Sequence, residues 1–384
     1  MARRKQKEGS HVRCHKCGYA WMTKSEMLMV PCPSCGYKTH NKPVAEAKPA
    51  RSGKGVASAR ASIFKPSEEA EGLRIRGVDF DRGASLGGLL ESYRSTGAQA
   101  SELGKAIDII KRMRKDKVRI FLGYTSNMVT TGNREVIRYL AEHKLVDALV
   151  TTTGGIEEDF IKCMKPFVLG DFRADGASLR QKGINRAGNI FIPNDRYIEF
   201  EKFFQPILGR FLSKQKQTGV IATPSEIIDY MGSTINNKSS IYHWARKNRI
   251  PVFCPAFMDG AIGDNVYFFN FNRIGKGKGG ELKVDMARDH HKLIELAVSA
   301  SDTGIIILGG GVVKHTICNA NMFREGAKYA VFVNTANEFD ASDSGALPEE
   351  AKSWGKIAAH ANTVKVFCDA TIAFPLIVAG AFVD

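Results

Sequence analysis

The sequence predicts an α/β fold, a Rossmann-like doubly wound and mainly parallel sheet, preceded by a small zinc ribbon. Three observations lead there. Apolar strand-like runs alternate with helical stretches over most of the chain. Two Cys-x-x-Cys pairs crowd its beginning, and a polar stretch rich in Ala, Gly, Ser and Lys separates the two patterns.

In chain order, residues 1–40 read as the basic ribbon. Cys14 and Cys17 form one knuckle, Cys32 and Cys35 the other, with fourteen residues between and a glycine after each (Gly18, Gly36). Two close thiolates supply adjacent corners of a tetrahedron, and a metal replaces the core that so short a segment cannot build. With four sulfurs completing the shell, His11, His15 and His40 read as solvated. Residues 41–70 read as a flexible basic linker with few residues able to anchor a core. Residues 71–384 read as the catalytic domain. Its buried strands are expected at 118–124, 146–152, 250–256, 304–310, 329–335 and 363–369. Helices are expected at 134–143, 286–299, 315–325 and 348–359.

The 384 residues are 43% apolar and 25% charged, which suits a soluble, core-forming protein. No apolar run reaches the roughly 18 residues of a membrane span, and no secretory pattern opens the chain. A cytoplasmic location without membrane attachment is therefore expected, and Cys163, Cys254, Cys318 and Cys368 read as reduced, buried thiols. The net charge of +15 is uneven. Residues 1–65 hold fourteen Lys/Arg against Glu8, Glu26 and Glu46, a balance of +11, which leaves +4 for the remainder. Four thiolates and one dication would remove two charges from the ribbon and leave it basic.

In such sheets ligands sit beyond the carboxyl ends of the strands. The loops there are rich in Gly, Ser, Thr, Asn and acids. Glycines 154, 155 and 309–311, with Ser126, Thr130 and Thr152, suit a nucleotide, although no G-x-G-x-x-G occurs and tight turns would explain glycines almost as well. Glu157, Glu158, Asp259, Asp264, Asp340, Asp343 and Glu350 fall in or just after these loops of a basic chain. Carboxylates gathered in one cleft call for a cation, and without a His-x-x-x-His pair an organic polycation is the better candidate than a metal. Each acid alone would more often be a helix cap, and His315 a structural residue, unless it transfers a proton.

The blocks TSNMVTTGNREVIRYL (125–140), TTTGGIEEDFIKCM (151–164), GINRAGNIFIPNDRYIEFEKF (183–203), GGGVVKH (309–315) and EFDASDSGALPEEAKSWGKI (338–357) resemble, in order, the signature blocks of the deoxyhypusine synthase family. The similarity runs from about residue 75 to the end and leaves ribbon and linker outside.

The resemblance implies NAD-dependent oxidation of spermidine, loss of diaminopropane, capture of the aminobutyl group by an enzyme lysine, and transfer to a lysine of the hypusine-bearing translation factor. Lys356 is then the nucleophile, which must be a neutral amine to form an imine, and His315 the base. Trp354 would pack on the polyamine's aliphatic part, with Asp264, Asp343, Glu350 and Glu158 holding its ammonium groups. Glu157, Gly310, Asn319, Ala341 and Ser342 complete the expected substrate shell. Ser126, Asn127, Met128, Val129 and Thr130 match positions around NAD. So do Thr152, Thr153, Gly154 and Glu158, then Asp259, Thr335, Ala336 and Asp340, and finally Asp369 and Ala370.

Two departures stand out: Ala341 where the family commonly has Gly, and TTTGG for TTAGG. The family also implies a homotetramer with active sites between paired subunits, so that one chain alone would show incomplete pockets. Two other functions compete. A homospermidine synthase-like enzyme would use the same residues and pass the aminobutyl group to a free diamine. An RNA- or ribosome-binding protein would act through the basic ribbon.

Overall fold

The computed structural model describes residues 10–25, 27–41, 53–275 and 280–383. It divides into two compact units, residues 1–72 and residues 73–384.

The first unit contains two small antiparallel hairpins. Strand β1 (Ser10–Arg13) pairs with β2 (Ala20–Thr23), and β3 (Met29–Pro31) pairs with β4 (Lys38–His40). Both carry the same knuckle. Gly18 N donates to Cys14 O at 3.0 Å and Gly36 N to Cys32 O at 2.8 Å, with glycine φ of 73° and 70°, a backbone region that penalises any side chain. Val12, Val30 and Thr39 are buried beneath them. So few apolar residues make a core that needs a further staple.

The linker expectation requires a correction. An α-helix spans Gly53–Ile63, because its alanines and lack of β-branched runs favour that state. Residues 42–52, where flexibility was also expected, lie outside the described residues.

The second unit is built on β5 (Arg119–Tyr124) and β6 (Ala148–Thr151). A three-stranded antiparallel sheet follows, of β7 (Val168–Leu169), β8 (Ile184–Ala187) and β9 (Ile190–Pro193) in the order β7-β9-β8. The chain then returns to the main sheet with β10 (Val252–Phe253), β11 (Thr303–Leu308), β12 (Ala327–Asn334) and β13 (Ile357–Phe367). The main sheet is wholly parallel in the order β10-β6-β5-β11-β12-β13. Renumbered within the sheet this is 3-2-1-4-5-6, the order of dinucleotide-binding folds, with its reversal between β5 and β11.

Alternate residues of the central strands serve two cores. Leu122, Ile306, Leu308, Val331 and Val333 face one, while Phe121, Ile305, Ile307 and Phe332 face the other. Burial on both sides explains why these strands read as unbroken apolar runs rather than alternating ones.

Three of the differences between expected and observed element ends have a clear cause. The strand expected at 250–256 is confined to Val252–Phe253, since Pro251 and Pro255 flank it and proline cannot donate to a ladder. The helix expected from His315 starts at Gly311, which puts His315 in its second turn. The helix expected over 348–359 ends at Ser353. Gly355, at φ 70°, reverses the chain, and Ile357 pairs with Ala327 to open β13.

Candidate active site

At the reversal point the loops after β5 and β11 lie side by side, because Tyr124 and Leu308 are register partners. The helices Thr153–Met164 and Gly311–Met322 start beside them, and neither has a side-chain cap. The first N–H groups of Thr153–Met164 can face an anion such as a diphosphate, whereas Gly311 N at the start of the other helix already donates to Ser344 Oγ at 2.8 Å. Ser126 N donates to Thr152 Oγ1 at 3.0 Å, and a Cβ on Gly154 would come within 2.7 Å of Ser126 Cβ. These two glycine-bearing turns therefore meet directly. Gly309, at φ 91°, packs on Thr125, and Gly310 packs on Ser344, so both glycines also have a packing reason.

The remaining residues matched to NAD are variously placed. Asn127 is exposed, and Met128 and Val129 are fully buried, leaving only their backbone to offer. The Thr130 hydroxyl donates to Glu158, and that of Thr153 to Ala256 O, so the hydroxyl that TTTGG adds is already satisfied. Asp259 and Thr335 are exposed. Ala336 N donates to Asn334 Oδ1 at 3.1 Å. Asp340 accepts from Ser342 N at 2.8 Å, which with the Ser342 side chain holds its carboxyl below the usual range. Asp369 caps the helix Ala370–Ala381 by accepting from Thr371 N at 2.7 Å, and Ala370 is buried.

One acidic group gathers in a cleft of about 540 Å³ that Glu157 and Asp264 line together with Asn185, Asn194, Tyr197 and Glu201. Glu157 accepts from Ile262 N at 2.9 Å and so caps the helix carrying Asp264. Burial pushes the Glu157 carboxyl upward, and the nearby charges of Asp264 and Asp259 push the same way. Burial raises Glu158 to about 7 against the opposing hydrogen bond from Thr130. Asn185, Asn194, Tyr197 and Glu201 were not singled out in the sequence. They belong to the antiparallel hairpin and the helix after it, which the rule about parallel-strand ends does not cover, although they stand in the block 183–203.

The second group surrounds Lys356, only 8% exposed. Its Nζ lies 4.0 Å from Asp343 Oδ1 and 5.5 Å from the centre of the Trp354 ring. The same Asp343 oxygen is 3.6 Å from His315 Nδ1, while His315 Nε2 is 2.7 Å from Asn319 Nδ2, one helical turn on. Asp343 Oδ2 is buried without a hydrogen-bond partner. A buried carboxylate oxygen left in that state is expensive, and an ammonium group would satisfy it. Trp354 is 64% exposed, Glu350 is exposed nearby, and Ala341 occupies the left-handed region at φ 57°.

The loop carrying these acids hangs on two lysines absent from the sequence expectations. Lys314 is 1% exposed and donates to Ala346 O at 2.8 Å and to Asp343 O; Lys365 donates to Ala336 O and Gly345 O, both at 2.6 Å. Burial lowers the affinity of both for a proton. Lys314 stands beside His315 in GGGVVKH, but nothing in a single sequence marks it as buried.

Lys356 also departs from the strand-end rule. Its carbonyl accepts from Ala327 N at 3.2 Å, level with the amino end of β12. The helix Gly311–Met322 runs back from the carboxyl ends of the strands and presents His315 and Asn319 along the way, so the site extends along that helix. Among the described residues no hydrogen bond or ion pair joins this group to Glu157, Glu158 and Asp264.

In the ribbon, the sulfurs of Cys14, Cys17, Cys32 and Cys35 lie within 4.8 Å of one another, with Cys14–Cys35 and Cys17–Cys32 both at 3.7 Å. A tetrahedron with Zn–S bonds of about 2.3 Å has edges of roughly 3.8 Å, so the four thiols fit such an ion.

Comparisons with known proteins point to one family. The family model described as deoxyhypusine synthase matches residues 88–381. The deoxyhypusine synthase of Arabidopsis thaliana is 48% identical over 354 residues, 85% of this chain and 95% of that protein. Homospermidine synthase 2 of Senecio vernalis is 51% identical over 353 residues, 85% and 94% of the two chains. A solved structure from Entamoeba histolytica, carrying the deoxyhypusine synthase name in provisional form, superposes with a TM-score of 0.57 at 31% identity, covering 80% of this chain and 96% of its own. The ribbon lies outside the matched residues.

Proposed function

Because the chain belongs to the deoxyhypusine synthase family, we propose that it transfers the 4-aminobutyl group of spermidine to a lysine of the hypusine-bearing translation factor, through an imine on Lys356. The observation that carries this reading is the buried, unpartnered oxygen of Asp343 beside a buried lysine and a histidine.

Asp343 holds an ammonium end of the polyamine through that oxygen, and Trp354 covers the methylene chain. His315 takes a proton from the reacting amine, for which substrate must displace Asn319 from Nε2. Ser126, Thr152 and Gly154 at the reversal point would hold NAD, which when bound would supply the oxidant for spermidine and the reductant that saturates the product. The Lys356 amine attacks the oxidised carbon; a C–N bond forms to Lys356 and the C–N bond to diaminopropane breaks. An acceptor lysine then attacks the same carbon and releases Lys356.

A homotetramer with sites shared between subunits accounts for two features together: Trp354 exposed beside the nucleophile, and the Glu157/Asp264 cleft unconnected to Lys356. In the ribbon we assign Zn²⁺ to the four cysteines as a structural ion. A cytoplasmic site for the reaction belongs to the same proposal; among the described residues the cysteines are free and no helix is long and apolar enough to cross a membrane.

The test is incubation with NAD and radiolabelled spermidine, with and without the translation factor, for wild type and Lys356→Ala. Label on the factor with wild type only is the expected result. Label on small diamines and never on protein would favour the homospermidine reading, to which the 51% identity with the Senecio vernalis enzyme gives substance. No NAD-dependent label anywhere would refute both.

A further inference from the structure

The ribbon is not used by the chemistry above, yet its surface is specialised. The two knuckles repeat as Cys-x-x-Cys-Gly-Tyr, and each ends on a half-exposed tyrosine, Tyr19 at 49% and Tyr37 at 50%. Each tyrosine carbonyl accepts from the first cysteine of its knuckle, Cys14 N to Tyr19 O at 2.8 Å and Cys32 N to Tyr37 O at 3.0 Å. The two tyrosine backbones are therefore tied to the cysteine knuckles by equivalent turns. Tyr19 stacks with Trp21 at 6.4 Å, and Lys16 Nζ lies 5.8 Å from the Tyr37 ring centre.

The strands add charge of one sign. The register of β1 on β2 turns Val12 and Trp21 to one face and His11 and Arg13 to the other, both of them exposed. In β3 and β4 the pairing Val30 with Thr39 faces inward, which leaves Lys38 and His40 exposed. With residues 1–65 at +11, and +9 after a zinc tetrathiolate forms, this is a cationic surface set with half-exposed aromatic faces.

We propose that the ribbon binds single-stranded RNA, with Tyr19 and Tyr37 stacking on unpaired bases and Arg13, Lys16 and Lys38 contacting phosphates. A protein partner of acidic character would answer the charge but leave two half-exposed rings unexplained. Double-stranded nucleic acid would answer the charge and offer no base faces. Unpaired bases in loops and ends are the ordinary condition of RNA, which selects it over DNA. The inference does not depend on the transferase reading. It does depend on the metal-bound ribbon.

The experiment titrates the full-length, zinc-loaded protein into a fluorescent fifteen-nucleotide oligouridylate, its DNA counterpart and an RNA duplex, at several salt concentrations. Tyr19→Ser/Tyr37→Ser and Arg13→Glu/Lys38→Glu are compared, with zinc content and transferase activity measured on each. The single strand binds most tightly, the tyrosine pair loses about ten-fold or more at unchanged zinc content, and the charge variant flattens the salt dependence. Equal binding of duplex and single strand, unchanged affinity in the zinc-retaining tyrosine variant, or no binding of any oligonucleotide at low salt would each overturn the proposal. If a variant loses zinc, phenylalanine at both positions restores the ring and must restore binding.

Discussion

Glu158 shows how one residue ties burial to pH. Its carboxyl ordinarily titrates at 4.5, and burial raises it to about 7 in the folded chain. Between those values the folded form binds more protons than the unfolded one, so its contribution to stability is full below about 4.5 and is lost as pH rises toward 7. The loss is on the order of 3 kcal/mol for this largely buried group. Thermal unfolding of wild type and Glu158→Gln across that window checks it, with a flatter pH profile expected in the variant. Ala341 makes the opposite kind of statement. At φ 57° its methyl is strained in a region that favours glycine, and Ala341→Gly should gain roughly 0.5–1 kcal/mol in urea unfolding, strain relief being partly offset by a freer unfolded chain. At this scale the sequence singles out residues with distinctive chemistry, and the structure brings three of them, Lys356, His315 and Asp343, together. It does not single out Lys314 and Lys365, because an isolated lysine in a sequence reads as a solvated charge, and only the fold brings the carbonyls of the 336–346 loop around them.

The elements decide how far those residues cooperate. The helix Gly311–Met322 carries Lys314 inward and His315 and Asn319 along one exposed face, so it both hangs the acidic loop and lines the path to Lys356. Lys314→Met keeps the volume and removes both carbonyl bonds. We expect transferase activity to fall by at least ten-fold while circular dichroism stays native; unchanged activity would show that the loop holds itself. The helix Thr153–Met164 has its own anchor, since buried Asp159 accepts from Arg134 Nε at 2.7 Å, from Ser240 Oγ at 2.5 Å and from Ile241 N at 3.1 Å. Asp159→Ala removes the buried carboxylate from a guanidinium that keeps only the exposed Glu135 as a charged partner, and should cost roughly 3–5 kcal/mol by denaturant unfolding. Strand identity was readable from unbroken apolar runs. Ends were not: the expected helix through residue 359 failed because Gly355 turns the chain and Ile357 finds a partner in β12, a long-range pairing that local pattern does not contain.

At the scale of the whole molecule, the order 3-2-1-4-5-6 puts the glycine turns at the sheet's reversal point, while Lys356 sits near the amino end of β12 and the Glu157/Asp264 cleft stands apart. If pairing of subunits joins these pieces, mixing and reassembling Lys356→Ala with Asp264→Asn should restore activity that neither variant has alone. Inactivity of the mixture would place both residues in a single subunit's site. The most direct test of the account remains the covalent link to Lys356. The protein is incubated with NAD and radiolabelled spermidine without acceptor, reduced with borohydride, digested and mapped. Label on the peptide containing Lys356, lost when acceptor is added before reduction, is the predicted result. Label on another lysine, or none bound to protein while product still forms, would contradict it.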